Sequence, residues 1–181
     1  MTDIYALIEQ IRGSYIDAFR GFVERQHKLC RTGASEVKLQ IGGQAKLVSQ
    51  FYCVDFINND AGENDAIEFN FEQYYSFSGL RGQLGKLNVT FTSMRWNDTI
   101  ITHDLTKLPT DDLSAWFEQW FDPEDRRRDA TAEFSNTVHS LLIEPQSLAI
   151  DFGTAPGEAF WSLIDLLDEA GARSATILCG E

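Results

Sequence analysis

The chain has 181 residues, with 28 acidic and 15 basic side chains, and its formal net charge is −13. A chain of this length fits one domain, and its 43% hydrophobic content excludes a disordered chain. A surface this acidic repels a phosphate backbone, so we expect no nucleic-acid partner. No run of about eighteen apolar residues occurs, so we expect no association with a membrane.

Cysteine usage indicates a reducing compartment. The three cysteines, Cys30, Cys53 and Cys179, are widely spaced, odd in number and outside any Cys-x-x-Cys pair. A disulfide framework of the secreted type is therefore not expected. The sequence also lacks metal-ligand spacings such as His-x-x-x-His, and it lacks a phosphate-binding glycine loop. These features predict a soluble cytoplasmic protein without a metal or cofactor.

The first half of the chain predicts a helix followed by a β region. The first thirty residues carry apolar side chains at helical spacing, namely Ile4, Leu7, Ile8, Ile11, Tyr15, Phe19 and Phe22. Short turns then join alternating segments, as in an antiparallel meander; the expected strands are 37–41, 47–57, 67–77, 86–93 and 99–105. The glycine-rich stretch 79–85 is expected to be a turn between two of them.

The second half changes to helical spacing after residue 109. Residues 110–121 predict a helix, and Asp122-Pro123 predicts the start of a short one. Residues 131–144 fit a helix or a strand; we favour a strand from 138 to 144. The chain then closes with a strand, a helix and a strand, expected at 148–152, 154–170 and 174–179. This unit is either a parallel crossover or part of an antiparallel edge.

Together these elements predict a single α+β domain over residues 1–181. Its mainly antiparallel sheet is expected to be packed by the N-terminal helix and by later helices on one face. A strand-helix-strand unit closes the chain.

The candidate catalytic residues are His103, Glu68 and Glu72. If strands 67–77 and 86–96 pair, both glutamates lie on a polar sheet face that would suit a small ligand or acid–base chemistry. His103 is followed by Asp104, but neighbouring strand residues point to opposite faces, which argues against a dyad. His139 precedes Ser140 without a Gly-x-Ser-x-Gly elbow, so we expect no serine nucleophile there.

The candidate partner-binding residues are Trp116 and Trp120. They share one face of the helix at 110–121 with Phe117 and Phe121. This face either packs in the core or forms an exposed aromatic patch that marks a partner surface.

Three functions follow from these features. The first is a non-enzymatic acidic interaction protein, such as an inhibitor, an immunity-type protein or a chaperone-like binder of a basic protein. The second is a small-molecule-binding protein or enzyme that uses the polar sheet face near His103. The third is a structural subunit of a homo-oligomer. The scarcity of catalytic motifs favours a protein that is not an enzyme.

Overall fold

The computed structural model describes residues 3–41, 51–60, 62 and 64–180 and has the predicted α+β fold. Three helices and nine strands lie within these residues. The helices are α1 (Ile4–Leu29), α2 (Thr110–Phe121) and α3 (Gly157–Glu169). The strands are β1 (Gly33–Gln40), β2 (Phe51–Asn58), β3 (Asp65–Ile67), β4 (Tyr75–Leu84), β5 (Leu87–Met94), β6 (Thr99–His103), β7 (Ser140–Glu144), β8 (Ser147–Asp151) and β9 (Ser174–Cys179).

Helix α1 confirms the N-terminal prediction. The carboxylate of Asp3 caps it and accepts hydrogen bonds from the backbone N–H groups of Tyr5 and Ala6. Its buried side chains are those of the predicted stripe: Ile8, Ile11, Tyr15, Phe19 and Phe22. No helix of the described residues is both long and apolar enough to cross a membrane.

The strands form two sheets where the sequence suggested one. The smaller sheet has the order β1-β2-β3 and is antiparallel. The turn expected between the predicted strands 37–41 and 47–57, and residues 47–50 of the second strand, lie outside the described residues.

The larger sheet has the order β4-β5-β9-β6-β8-β7, and only its β5–β9 pair is parallel. Strand β6 lies between β8 and β9 and is antiparallel to both, so the β8–α3–β9 unit is a parallel crossover. One face is buried, and the register aligns its side chains in rows such as Phe91, Ile177, Ile101 and Leu148.

The predicted strand at 67–77 is wrong. Strand β3 ends at Ile67 and β4 begins at Tyr75, and the residues between them belong to no strand. Their apolar alternation has another cause, because Phe69 and Phe71 pack on α1. The Phe69 ring lies 5.0 Å from that of Phe22, and the Phe71 ring lies 5.4 Å from that of Tyr15. The period-two pattern of this segment therefore reflects packing against a helix and not hydrogen bonding to a neighbouring strand.

Two further predictions need correction. The glycine-rich stretch 79–85 is not a connecting loop, because β4 runs through it to Leu84 and the turn falls at Gly85, with φ +60°. The short helix expected after Pro123 is also absent from the described structure, which has turns there. Asp122 adopts φ +50°, and its carboxylate accepts the N–H groups of Arg126 and Arg127. The ambiguous stretch 131–144 contains no helix and ends in β7.

Candidate functional site

Strand β1 directs two charged side chains into the protein interior. Glu36 and Lys38 are two residues apart and therefore lie on the same face of the small sheet. The β1–β2 register pairs Lys38 with Cys53, and Glu36 and Asp55 lie between the pairs Ser35–Phe56 and Val37–Val54. This face packs against the segments that precede β7 and follow α2, so it buries charge where a sheet usually buries apolar side chains.

The Glu36 carboxylate is almost fully satisfied by hydrogen bonds. Its Oε2 accepts the backbone N–H of Ser135 at 2.8 Å, and its Oε1 accepts the Ser135 hydroxyl at 2.6 Å. The hydroxyl of Thr154 also donates to Oε1. Glu36 itself has the left-handed φ of +52°, which is strained for a residue with a β-carbon. The surrounding contacts therefore hold this residue in a costly conformation.

The ring of His139 lies between two carboxylates. Its Nε2 is 3.4 Å from Glu36 Oε1, and its Nδ1 is 3.0 Å from Asp55 Oδ1. The second contact is close but poorly aligned, so it acts as an ion pair more than as a directed hydrogen bond. The other oxygen of Asp55 accepts the backbone N–H of Phe69 at 2.7 Å. His139 is 0% exposed, so only protein groups, and not water, balance the charges of the two carboxylates beside it.

These contacts set the protonation of the group, which we call the His139 cluster: Glu36, Asp55 and His139. Burial alone would lower the pKa of His139, but its neighbours Cys53, Asp55 and Glu36 hold it well above the ordinary 6.5. Burial would likewise raise the pKa of Glu36, but the hydrogen bond and positive charge of His139 lower it. The cluster therefore holds an imidazolium between carboxylates at neutral pH.

Further titratable groups surround the His139 cluster. Burial raises the pKa of Asp151 to about 7, and the negative charge of Asp55 adds to this effect. Burial also raises the pKa of the Cys53 thiol and of the Tyr15 hydroxyl. No group of three or more His, Cys, Asp or Glu side chains among the described residues is arranged to hold a metal ion.

Lys38 forms a second buried charge contact beside the His139 cluster. Its Nζ donates to the backbone carbonyl of Asp122 at 2.7 Å and to Asp125 Oδ1 at 2.6 Å. It also lies 5.6 Å from the ring centroid of Phe121, at the end of α2. Through Glu36 and Lys38, one strand thus fixes both ends of the segment between α2 and β7.

The chemistry open to the His139 cluster is limited by access. A cavity of about 80 Å³ reaches Glu36 and Ser135, which is room for water but well below the roughly 300 Å³ of small ligand pockets. The Ser135 hydroxyl donates to Glu36 and not to His139, so the arrangement is no activated serine. The cluster can store and balance charge, but its ring does not reach a substrate in this conformation.

His103 lies elsewhere, on the buried face of the large sheet. It aligns with Ala175 and Val89 across β6, β9 and β5. Neither of its ring nitrogens has a hydrogen-bond partner among the described residues, and burial lowers its pKa. Asp104 points away from it and accepts the backbone N–H groups of Arg173 and Ser174. The structure therefore does not bring His103 together with a carboxylate.

Glu68 and Glu72 lie in the segment between β3 and β4 and not on the polar face of the large sheet. Desolvation and the charge of Asp55 raise the pKa of Glu68, and a hydrogen bond with Tyr52 opposes this. Glu68 thus borders the His139 cluster. Glu72 is exposed and accepts a hydrogen bond from the Asn70 side chain.

Trp116 and Trp120 join α2 to α3. Both indole N–H groups donate to the Ser162 hydroxyl at 3.0 Å, and Trp116 also donates to the carbonyl of Ala159. Trp116 is buried and Trp120 is half-buried. Most of the aromatic face therefore packs internally, but Trp116 also lines a groove on the outer side of the helix pair.

This groove, which we call the α2–α3 groove, has a volume of about 590 Å³. Its lining combines apolar and acidic side chains: Asp112, Ala115, Trp116, Gln119, Ser162, Asp165, Leu166, Glu169 and Ala170. The two helices contain no lysine or arginine and share seven carboxylates: Asp111, Asp112, Glu118, Glu158, Asp165, Asp168 and Glu169. All except Asp168 are exposed.

The sequence interpretation missed the His139 cluster because its members are distant in the chain. One signal was present. Asp55 interrupts the apolar segment 51–57, and a carboxylate in such a strand requires a buried partner. The sequence did not reveal which residue this partner is.

Comparisons with known proteins identified no relative: no family model, no curated protein and no solved structure matches this chain. The function must therefore be argued from the geometry of the chain itself.

Proposed function

We propose that this protein is a non-enzymatic acidic interaction protein that binds a basic protein partner in the α2–α3 groove. The observation that carries this proposal is the one-sided charge of the two helices, which share seven carboxylates and no basic side chain. Such a field attracts a basic partner over a distance and discriminates against acidic ones.

The shape and lining of the groove support the same proposal. The half-buried Leu166 and the 5% exposed edge of Trp116 line the groove between the exposed carboxylates of Asp112, Asp165 and Glu169. Interfaces commonly combine an apolar centre with a charged rim. A partner segment that places an apolar side chain between lysines or arginines would match this pattern. An inhibitor, an immunity-type protein or a chaperone-like binder would use such a surface.

The test reverses the charge of the groove. We would replace Asp112, Asp165 and Glu169 with lysine and compare capture of basic proteins from the source cell at about 50 mM and about 500 mM salt. The matched control replaces Glu24, Asp65 and Glu72 with lysine, which changes the net charge equally on exposed sites elsewhere.

We expect a basic protein that wild type and the control variant retain at low salt and that the groove variant loses. Purified components should reproduce this binding, and a heteronuclear NMR titration should shift the indole signal of Trp116. Equal capture by both variants, or no saturable binding by the wild type, would refute the proposal.

A further inference from the structure

We propose that the His139 cluster is a charge-dependent clamp, which holds the small sheet against the large sheet while His139 is an imidazolium and loosens it when the ring loses a proton. This inference is independent of the proposed function, because none of its residues lines the α2–α3 groove.

The cluster joins parts of the chain that belong to different sheets. Glu36 and Asp55 lie in β1 and β2 of the small sheet, and His139 directly precedes β7 of the large sheet. Backbone hydrogen bonds also join the sheets at this point. The N–H of Cys53 donates to the carbonyl of His139, and the N–H of His139 donates to the backbone carbonyl of Asp151 in β8. The imidazole is therefore the charged centre of the junction between the two sheets.

A neutral ring would leave this junction with uncompensated charge. Glu36 and Asp55 flank the two ring nitrogens of His139, and both carboxylates are buried. Two carboxylates in this position repel each other unless a cation lies between them. Among the described residues, no lysine or arginine forms an ion pair with Glu36 or Asp55, and Lys38 is engaged with Asp122 and Asp125. Loss of one proton thus converts an attractive junction into a repulsive one.

The other groups that face the ring do not supply the missing charge. Each of these groups is neutral when protonated and negatively charged when deprotonated. They are Tyr15 of α1, Cys53 of β2, Asp151 of β8 and Glu68 after β3. Asp151 ionises near pH 7 and adds negative charge before His139 deprotonates. As the pH rises, the negative charge around His139 increases and stabilises the imidazolium more strongly, until the ring itself loses its proton.

The sign of the effect follows from the two directions of pKa shift. The folded pKa of His139 is raised, so its contribution to stability is complete below about 6.5 and is lost as pH rises through the folded value. The folded pKa of Glu36 is lowered, so its contribution is present above 4.5 and is lost as pH falls through the folded value. Both contributions are therefore complete between about pH 4.5 and pH 6.5, and the clamp loosens at higher pH as His139 loses its proton.

The experiment combines two NMR measurements on the full chain. Ring ¹⁵N spectra report the protonation of His139, assigned by its loss in His139→Gln, with the exposed His27 as an internal reference. Amide hydrogen exchange, corrected for intrinsic rates, reports opening of the junction at Cys53, whose N–H donates to the carbonyl of His139. The same measurement at Val89 and Ile177 monitors the large sheet.

We expect His139 to carry protons on both ring nitrogens at pH 7. As it titrates, protection of the Cys53 amide should fall by about tenfold or more, while Val89 and Ile177 keep theirs. The variant Glu36→Gln, which removes one carboxylate and keeps the ring, should move this transition to lower pH. It also serves as the test if His139→Gln does not fold. A neutral His139 at pH 7, or equal protection changes in both sheets, would overturn the proposal.

Discussion

The backbone of Gly153 lies so close to the ring of His139 that a β-carbon on Gly153 would fall 2.1 Å from His139 Cδ2. Gly153 also adopts φ +49°, a conformation that disfavours residues with a β-carbon. Its carbonyl accepts the indole N–H of the buried Trp96 at 2.9 Å. The ring is thus held by backbone on one side and by carboxylates at both nitrogens, which leaves it little freedom to move.

We therefore expect Gly153→Ala to lower the free energy of unfolding by about 2–4 kcal/mol, from a steric clash combined with backbone strain. Gly171→Ala is the matched control, because Gly171 also has a positive φ, of +92°, but open space at the β-carbon position. Strain alone should cost about 1–2 kcal/mol there. Urea denaturation of both variants separates the two effects, and equal losses would show that the clash is absent.

Glu36 and His139 should be energetically coupled. Glu36→Gln leaves the imidazolium with Asp55 as its only ion-pair partner among the described residues, and His139→Gln leaves both carboxylates without a counterion, so each change should cost about 3–5 kcal/mol near pH 7. The double variant removes charge from both positions, so its loss should be smaller than the sum by about 1–3 kcal/mol. A thermodynamic cycle from denaturation curves gives this coupling, and strictly additive losses would mean that the contact at 3.4 Å contributes nothing.

The fold was predictable where sequence periodicity matches burial against a single neighbouring layer. Helices α1, α2 and α3 and strands β5 and β9 have apolar residues at the positions that pack, so their patterns gave the correct type. Residues 68–74 failed for the opposite reason. Their alternation arises from Phe69 and Phe71 packing on α1, and period two alone does not distinguish that contact from a strand pairing.

The His139 cluster was beyond local pattern analysis. In β1 the alternating Val37 and Leu39 predicted a strand, but the side chains that point to the buried junction between the sheets are those of Glu36 and Lys38. Both faces of β1 are partly buried, so alternation does not identify the interior. The correct assignment depends on contacts between residues about one hundred positions apart, which no window of sequence contains.

Asp151 should make the stability of the wild type decrease with pH. Its folded pKa, about 7, is raised above the ordinary 3.8, so its contribution is greatest below 3.8 and is lost as pH rises through about 7. Asp151→Asn stays neutral and keeps the oxygen that accepts the N–H of Gly153. Relative to wild type, this variant should gain about 1–3 kcal/mol between pH 5 and pH 8.5.

Denaturation at both pH values tests this, with Asp104→Asn as a control of opposite sign. Backbone hydrogen bonding by Arg173 lowers the pKa of the exposed Asp104, so its contribution exists above 3.8 and is lost in acid. Asp104→Asn should therefore weaken the protein equally at pH 5 and pH 8.5, and lose this effect only as the pH falls below 3.8. A pH-independent effect of Asp151→Asn would show that Asp151 is already ionised in the folded state at pH 5.

The side chain of Lys38 is only 9% exposed and makes two short polar contacts, so its charge should contribute to stability. Lys38→Met has similar length but leaves the carbonyl of Asp122 without this donor and removes the ion pair with Asp125. We expect a loss of about 1–3 kcal/mol in urea denaturation, whereas the same change at the exposed Lys28 should cost less than about 0.5 kcal/mol. Because Lys38 and Glu36 anchor the same segment, Lys38→Met should also increase amide exchange near Asp125 before it affects β5. Unchanged stability would indicate that apolar packing on Phe121 compensates for both polar contacts, and that the junction between the sheets depends on the His139 cluster alone.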